Sequence, residues 1–388
     1  DIMRRHGASY RRENAGHCGR GERRVMGAIE ACRTPRLGGH VDACEGCGLT
    51  SISYNSCRNR HCPKCQGAAR RQWVAARVAD LLPVPYFHMV FTLPPAIAGI
   101  AFQNKAIVYG LLMRISAETL QTIAANPKWL GAEIGVTSVL HTWGQAMTHH
   151  PHVHCVVPGG GLSPDRSRWI ACRPGFFLPV RVLSRLFRRL FLAALQNAFS
   201  QGELRFFNEL THLNDDKAFT HHLAQARRVD WVVYAKPPFG GPGQVLAYLG
   251  RYTHRVAIAN SRILKIDADH VAFRWKDYRG NGRNREKVMH LHPHEFIRRF
   301  LLHVLPTGFH RMRHFGFLAN SHRRDRISLC RLLLGQPSSE NRQPEPDDTS
   351  PRTPLHACPS CQQPMRRTGI TVAPVAPPRP SSFRCDTS

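Results

Sequence analysis

The sequence predicts an α+β fold in which strands and amphipathic helices follow a small cysteine-rich module. Residues 149–158 alternate in the way a strand does, and the β-rich residues 136–143 stand near enough along the chain to pair with them through a turn. Residues 180–200 repeat Leu and Phe at helical spacing. Two Cys-x-x-Cys knuckles lie within the first 75 residues and indicate a separate module there.

Composition limits the class of partner. The chain has 388 residues, 42% of them hydrophobic, which predicts a globular protein of two or three domains. Its 54 Lys and Arg residues outnumber 26 Asp and Glu residues, giving a formal net charge of +28. A chain this basic is expected to bind a polyanion, most commonly nucleic acid. It contains no apolar run of about eighteen residues, so no membrane span is expected.

Cysteine usage indicates the compartment. The 13 cysteines are odd in number and several form close pairs, which is typical of metal sites in a reducing cytosol rather than of secreted disulfides. No signal-peptide pattern opens the sequence, and its start at Asp1 without Met is interpreted as a trimmed or partial end. We therefore expect a cytoplasmic protein.

Two knuckles form a zinc-ribbon pattern, Cys44-x-x-Cys47 followed by Cys62-x-x-Cys65. Four thiolates complete a tetrahedral Zn²⁺ site and leave no open position, so this zinc is predicted to be structural. Two alternatives stay open, namely that a spare ligand replaces one of the four or that a second ion is bound. The spare ligands between the knuckles are Cys57 and His61.

The remaining elements follow from periodicity and breakers. Helices are predicted near residues 25–32, 66–82, 100–128, 294–305 and 323–334, and strands at 86–93, 231–236 and, as a hairpin, 262–292. After residue 335 the composition turns to Pro, Ser, Glu and Asp, which predicts a disordered tail. The tail holds the knuckle Cys358-x-x-Cys361, interpreted as an unmetallated remnant, with His356 and Cys385 as the ligands that could complete a site.

The histidine strand is the first candidate functional element. Alternation puts His152 and His154 on one face and Val153, Cys155 and Val157 on the other. Two imidazoles held at i and i+2 suit a divalent metal ion. The alternative is chance clustering in a chain with 23 histidines. The glycines at 159–161 allow a sharp turn or a close backbone approach after the strand.

Residues 244–255 are the second candidate element and are predicted to be helical. Tyr248 and Tyr252 stand four residues apart, so they share one helical face and could both reach one substrate. The alternative is that both are core aromatics. A phenol with a pKa near 10 attacks a phosphodiester only when its proton is removed or its anion is stabilised. The neighbouring Arg251 and Arg255 would supply cations and, with Arg58 and Arg60 beside the knuckles, are the predicted DNA-binding residues.

Taken together, these motifs resemble the rolling-circle insertion-sequence transposases of the two-tyrosine HUH class, the insertion sequence ninety-one family. The resemblance rests on the His152-Val153-His154 strand, the Tyr248 and Tyr252 helix and the cysteine ribbon, and extends to near residue 334. Further matching stretches are residues 57–63, 141–145, 295–300 and 305–306.

The resemblance implies a zinc ribbon at residues 1–75, an HUH-nuclease-type antiparallel sheet flanked by helices at 76–335, and a Pro-rich tail at 336–388. It also implies a transposase of the bacterial cytoplasm and nucleoid that nicks and joins single-stranded DNA at element ends and target. Tyr248 and Tyr252 would form a 5′-phosphotyrosine, and His152 and His154 would hold Mg²⁺ or Mn²⁺. Candidates for a third metal ligand are Gln145, His141 and His254. The alternatives are a rolling-circle replication initiator or relaxase, and a non-catalytic zinc-ribbon DNA-binding protein.

Overall fold

The computed structural model describes residues 1–78, 80–236, 244–245, 250, 257–277, 285–336 and 357–371. The helices in these ranges are α1 (Ile2–Glu13), α2 (Arg20–Ala31), α3 (Gln66–Val78), α4 (Pro95–Gln103), α5 (Lys105–Ala125), α6 (Val180–Ser200), α7 (Asp216–Arg228), α8 (Pro293–Leu302) and α9 (Arg323–Leu333). The strands are β1 (Gly39–Cys44), β2 (Thr50–Tyr54), β3 (Tyr86–Thr92), β4 (Gly135–Trp143), β5 (His149–Pro158), β6 (Gly160–Leu162), β7 (Trp169–Ala171), β8 (Val233–Lys236), β9 (Ile263–Ile266), β10 (Val271–Lys276), β11 (Glu286–Leu291), β12 (Met312–Gly316) and β13 (Met365–Thr371).

A five-stranded antiparallel sheet in the order β12-β4-β5-β3-β8 forms the centre of the fold. Strands β4 and β5 pair as the sequence predicts. One face of the sheet packs against α5 and α6, and Val153, Cys155 and Val157 are fully buried there. The predicted α+β fold, with an antiparallel sheet flanked by helices, is confirmed.

The glycines after β5 are required by a close backbone approach. Strand β6 pairs with β7, and Gly161 lies against the backbone of Glu133, with which Leu162 exchanges hydrogen bonds of 2.8 and 2.9 Å. A Cβ atom at Gly161 would collide with the Glu133 carbonyl oxygen. The expected close approach is therefore present.

A second antiparallel sheet, β11-β10-β9, packs with α1, α2 and α8 around Val271 and Phe273. The predicted hairpin of residues 262–292 thus has three strands, and residues 278–284 of its basic turn lie outside the described residues. None of the described helices combines the length and apolar character needed to cross a membrane.

The N-terminal sheet corrects the expectation of a disordered tail throughout 336–388. It has the order β13-β1-β2, so residues 365–371 form a strand that pairs with residues 39–44. The charged composition predicted disorder because the apolar content of the tail is low. The strand is held instead by a ladder and a cysteine cluster formed with the other end of the chain.

Candidate active site and cysteine clusters

Three histidines converge on one face of the central sheet. His141 on β4 lies directly opposite His152 on β5, and His154 follows two residues later on the same face. The ligand atoms of the three side chains all lie within 4.8 Å of one another. Their ring centroids are 4.3 Å (His141 and His154), 4.9 Å (His152 and His154) and 5.4 Å (His141 and His152) apart. The cluster therefore has the dimensions of a three-ligand metal site.

Hydrogen bonds orient two of these imidazoles for ligation. Nδ1 of His152 donates to the carbonyl oxygen of His150 at 2.7 Å, which leaves the lone pair on Nε2. Nδ1 of His154 lies 2.8 Å from Nε2 of His88, whose ring stacks on it at an interplanar angle of 4°. When Nδ1 of His154 donates in that bond, its Nε2 also carries a lone pair. Partners that fix the tautomer in this way are a regular feature of histidine metal sites.

Burial keeps the imidazoles in the form that binds metal. It lowers the pKa of His154 well below the ordinary value and that of His152 to about 4. Both rings are therefore neutral near pH 7. The donor set fits a divalent ion that accepts nitrogen ligands.

The structure places the three candidates for the third metal ligand differently. His141 joins the cluster, His254 lies outside the described residues, and the backbone carbonyl of Gln145 accepts a hydrogen bond from Arg262 at 2.5 Å. His88 was missed by the sequence analysis. The available signal was a histidine inside an otherwise apolar strand, whose face could be assigned only once the register with β5 was known.

The segment with the two tyrosines begins on the face of the central sheet that carries His141, His152 and His154, the histidine face. Val245 is fully buried in a cluster with Tyr86, Val139 and Val156, and Val139 is the direct cross-strand partner of His154. Tyr248, Tyr252, Arg251 and Arg255 lie outside the described residues, so their predicted roles remain predictions.

The histidine face continues across the sheet to an exposed tyrosine. Val90 on β3 is the partner of His154, and Tyr234 on β8 is in turn the partner of Val90. Cross-strand partners share a face, so Tyr234 is on the same side as the cluster. Its side chain is 52% exposed. Its position on this face depends on the strand register and was not predicted from the sequence.

The predicted grouping of Cys44, Cys47, Cys62 and Cys65 in one zinc site is corrected by the geometry. Eight of the described cysteines form two clusters of four, each with all its sulfur atoms within 4.8 Å. The first is Cys32, Cys57, Cys62 and Cys65, and the second is Cys44, Cys47, Cys358 and Cys361. The prediction failed because it paired the two knuckles with each other, whereas folding joins the second knuckle to Cys57 and Cys32 and the first knuckle to the C-terminal pair.

Cys57 enters the first cluster, but His61 does not. Nε2 of His61 accepts the backbone N–H of Leu305 at 3.2 Å, and its Nδ1 lies 3.1 Å from Oδ1 of Asn59. Burial lowers the pKa of His61 to about 3, so the ring is neutral. With both nitrogens engaged, His61 joins the cysteine-rich module to residue 305 instead of binding metal.

Arg60 has a similar joining role. Its guanidinium donates to the carbonyl oxygens of Phe309 and, at 2.7 Å, of Pro306. These contacts occupy the group that was expected to contact DNA. Arg58 on the same segment is exposed.

Comparison with known proteins agrees with this organisation. A family model described as "Transposase zinc-binding domain" matches residues 2–93, and one described as "Putative transposase" matches residues 135–326. Over 371 residues the chain is 58% identical to "Putative transposase y4qJ" of Sinorhizobium fredii (strain NBRC 101917 / NGR234), covering 94% of this chain and 92% of that protein. The chain belongs to the insertion sequence ninety-one family of transposases.

A more distant relative of this transposase is "Transposase for insertion sequence element IS801" of Pseudomonas savastanoi pv. phaseolicola. The two are 26% identical over 296 residues, which cover 75% of this chain and 68% of the relative. No solved structure gives a significant match. The transposase is a DNA-processing enzyme with an N-terminal zinc-binding domain, and its cysteine clusters fit structural zinc.

Proposed function

We propose that this transposase cuts and joins single-stranded DNA through a 5′-phosphotyrosine, the chemistry of rolling-circle transposition by the two-tyrosine HUH class. The observation that carries the proposal is the cluster of His141, His152 and His154 on the sheet face where the two-tyrosine segment begins. A metal site, and a segment with two candidate nucleophiles whose Val245 packs on the same face, could act on one phosphodiester.

The metal would be a divalent cation, with Mn²⁺ favoured over Mg²⁺ because imidazole nitrogen suits Mn²⁺ better than the oxygen-preferring Mg²⁺. When bound, it would polarise the scissile phosphate and neutralise developing charge. The chain contributes orientation. The backbone carbonyl oxygen of His150 accepts from Nδ1 of His152, and when Nε2 of His88 accepts from Nδ1 of His154, the Nε2 atoms of both ligands carry lone pairs that could bind the ion.

The tyrosines would perform the covalent step. The phenol of Tyr248 or Tyr252 releases its proton to solvent, and its oxygen forms a bond to phosphorus while the bond from phosphorus to the 3′ oxygen breaks. The leaving oxygen takes a proton and becomes a 3′-hydroxyl. Attack by a 3′-hydroxyl on the phosphotyrosine reverses the step, so joining needs no ATP. The second tyrosine could cut another strand while the first is still loaded.

The substrate is proposed to be single-stranded because the histidine face offers a stacking group. Tyr234 is exposed on that face, and an unpaired base can lie flat on a tyrosine ring. The net charge of +28 would hold the backbone of either DNA form. Stacking is what would favour the unpaired form.

The test uses end-labelled oligonucleotides carrying element ends, incubated with the full-length protein and Mn²⁺ and resolved on denaturing gels. We expect a slow-migrating covalent adduct that is lost in the Tyr248→Phe, Tyr252→Phe double variant and in His152→Ala. Tyr54→Phe on β2 and His290→Ala on β11 are matched controls far from the cluster in sequence and should keep the adduct.

Two other outcomes would replace the proposal. Adduct formation that required a supercoiled origin instead of an element end would favour a replication initiator or relaxase. Tight, salt-sensitive binding with unchanged DNA in Mn²⁺ would favour a non-catalytic DNA-binding protein.

A further inference from the structure

The second cysteine cluster is assembled from opposite ends of the chain. Sγ of Cys44 lies 3.4 Å from that of Cys361, and Sγ of Cys47 lies 3.6 Å from that of Cys358. Cys44 and Cys358 are buried. The matched zinc-binding domain ends at residue 93 and the transposase match at residue 326, so neither range includes Cys358 or Cys361.

We propose that Cys44, Cys47, Cys358 and Cys361 bind a second structural Zn²⁺, which fastens residues 357–371 to the N-terminal zinc-binding domain. The ion in question is separate from one held by Cys32, Cys57, Cys62 and Cys65. The inference is independent of the nicking chemistry proposed above.

The sulfur geometry fits one shared ion. Zinc–sulfur bonds of about 2.3 Å in a tetrahedral site put neighbouring sulfurs about 3.8 Å apart, close to the spacings found here. A disulfide would need about 2.05 Å. Each knuckle contributes two thiolates, as in known four-cysteine zinc sites. The first cluster has the same spacing, 3.5 Å between Cys32 and Cys65 and 3.6 Å between Cys57 and Cys65.

Strand pairing and ion pairs around the cluster hold the C-terminal segment in a fixed position. Met365 pairs directly with Cys44 at the end of the β1–β13 ladder. Arg366 forms an ion pair with Glu45 at 2.7 Å, and Arg367 lies 3.7 Å from Asp42. Residues from both chain ends therefore meet around the four sulfurs in a defined register.

The small apolar content of the β13-β1-β2 sheet explains why an ion is needed for it to fold. Strand β2 is exposed at every residue. The buried hydrophobic cluster here consists of Cys44, Cys358 and Met365, with Cys361 packed against it. So small a core cannot offset the entropy of ordering three strands, and metal binding supplies folding free energy in such modules.

The test is the zinc content of the full-length protein by inductively coupled plasma mass spectrometry, compared between paired variants. Cys358→Ser with Cys361→Ser should lose about one zinc ion per chain, and Cys44→Ser with Cys47→Ser should lose the same one. Combining all four changes should cost no more than either pair alone. Cys62→Ser with Cys65→Ser should instead lose the ion of the first cluster.

The control variant, Cys172→Ser with Cys385→Ser, should keep the full zinc content. If the variant with all four cysteines replaced lost about two ions, each knuckle would hold an ion of its own. That result would overturn the proposal. Full zinc in the Cys358, Cys361 variant, or a loss in the control variant, would also overturn it.

A second measurement applies even where a serine variant folds poorly. Cys358→His retains a ligand, so the cobalt-loaded protein should fold and its spectrum should shift toward a site with three sulfurs and one nitrogen. In the Cys44→Ser, Cys47→Ser variant, trypsin should cleave at Arg366 and Arg367, which the β1–β13 ladder should protect in the wild type. An unchanged cobalt spectrum or unchanged cleavage would contradict the shared site.

Discussion

Nε2 of His88 lies 2.8 Å from Nδ1 of His154, with the two rings nearly parallel. His88 is fully buried and comes from β3, whereas the three candidate ligands come from β4 and β5. We infer that His88 is a positioning residue, which fixes the ring of His154 so that Nε2 is presented to the ion.

His88→Phe should therefore weaken Mn²⁺ binding by roughly 10–100-fold, the usual effect of removing a partner that orients a metal ligand. Titration calorimetry of the zinc-loaded protein, freed of Mn²⁺ beforehand, measures it. His88→Gln can restore the hydrogen bond and should recover part of the affinity, while His290→Phe should leave it unchanged. Equal affinity in His88→Phe and wild type would show that His88 only fills space.

Tyr234 is expected to act through its ring. Tyr234→Ala should reduce affinity for a single-stranded oligonucleotide by about tenfold, within the range of about 1–3 kcal/mol for stacking one base. Tyr234→Phe keeps the ring and should bind almost normally. Fluorescence anisotropy at fixed salt, with Tyr54→Ala as the control, checks this. A similar loss in Tyr234→Phe would mean that the hydroxyl, and not stacking, is responsible.

Arg58 and Arg60 should separate DNA binding from stability. Arg60→Ala removes charge-assisted hydrogen bonds to Phe309 and Pro306, so the free energy of unfolding should fall by about 1.5–3 kcal/mol. DNA affinity of the folded variant should change little. Arg58→Ala should do the reverse and reduce the salt dependence of DNA binding. Chemical denaturation and salt titrations measure both, and exchanged phenotypes would contradict these roles.

His303 predicts a pH dependence of stability. Nε2 of this buried ring donates to the Met147 carbonyl at 3.1 Å, and Nδ1 accepts from the Thr142 hydroxyl at 3.0 Å. Burial lowers its pKa to about 3, below the ordinary histidine value of about 6.5. Between these values the unfolded chain binds the extra proton, so stability falls as the pH drops below about 6.5.

The slope contributed by one such proton is about 1.4 kcal/mol per pH unit. His303→Gln should lower stability at pH 7 and flatten the decline in the free energy of unfolding between pH 6 and pH 4. Urea denaturation across that range measures it, with exposed His290→Gln as the control. Parallel curves for His303→Gln and wild type would show that His303 does not titrate on unfolding.

The sequence predicts those parts of the fold that depend on neighbours along the chain. The alternation of β5, its pairing with β4 and the amphipathic pattern of α6 each need only a short window, and the structure confirms them. Helix α1 was missed because its buried residues, such as Ile2 and Tyr10, are interrupted by arginines.

Contacts between distant segments could not be predicted. The pairing of Cys44 with Cys361 and the hydrogen bond of His88 with His154 join segments whose separation no spacing rule covers. The contacts of Arg60 with residues 306 and 309 could not be predicted for the same reason, and its predicted DNA contact remains a prediction. The chemistry of a residue can be proposed from its type, but its role depends on what the fold brings to it.

In the proposed mechanism, a tyrosine of residues 244–255 becomes joined to DNA when the histidine cluster holds a divalent ion. The direct measurement is mass spectrometry of peptides from the transposase after reaction with a single-stranded element end in Mn²⁺ and nuclease trimming of the DNA. We expect a nucleotide 5′-phosphate on Tyr248 or Tyr252, absent in His152→Ala. A modified residue elsewhere, or the same adduct in His152→Ala, would contradict it.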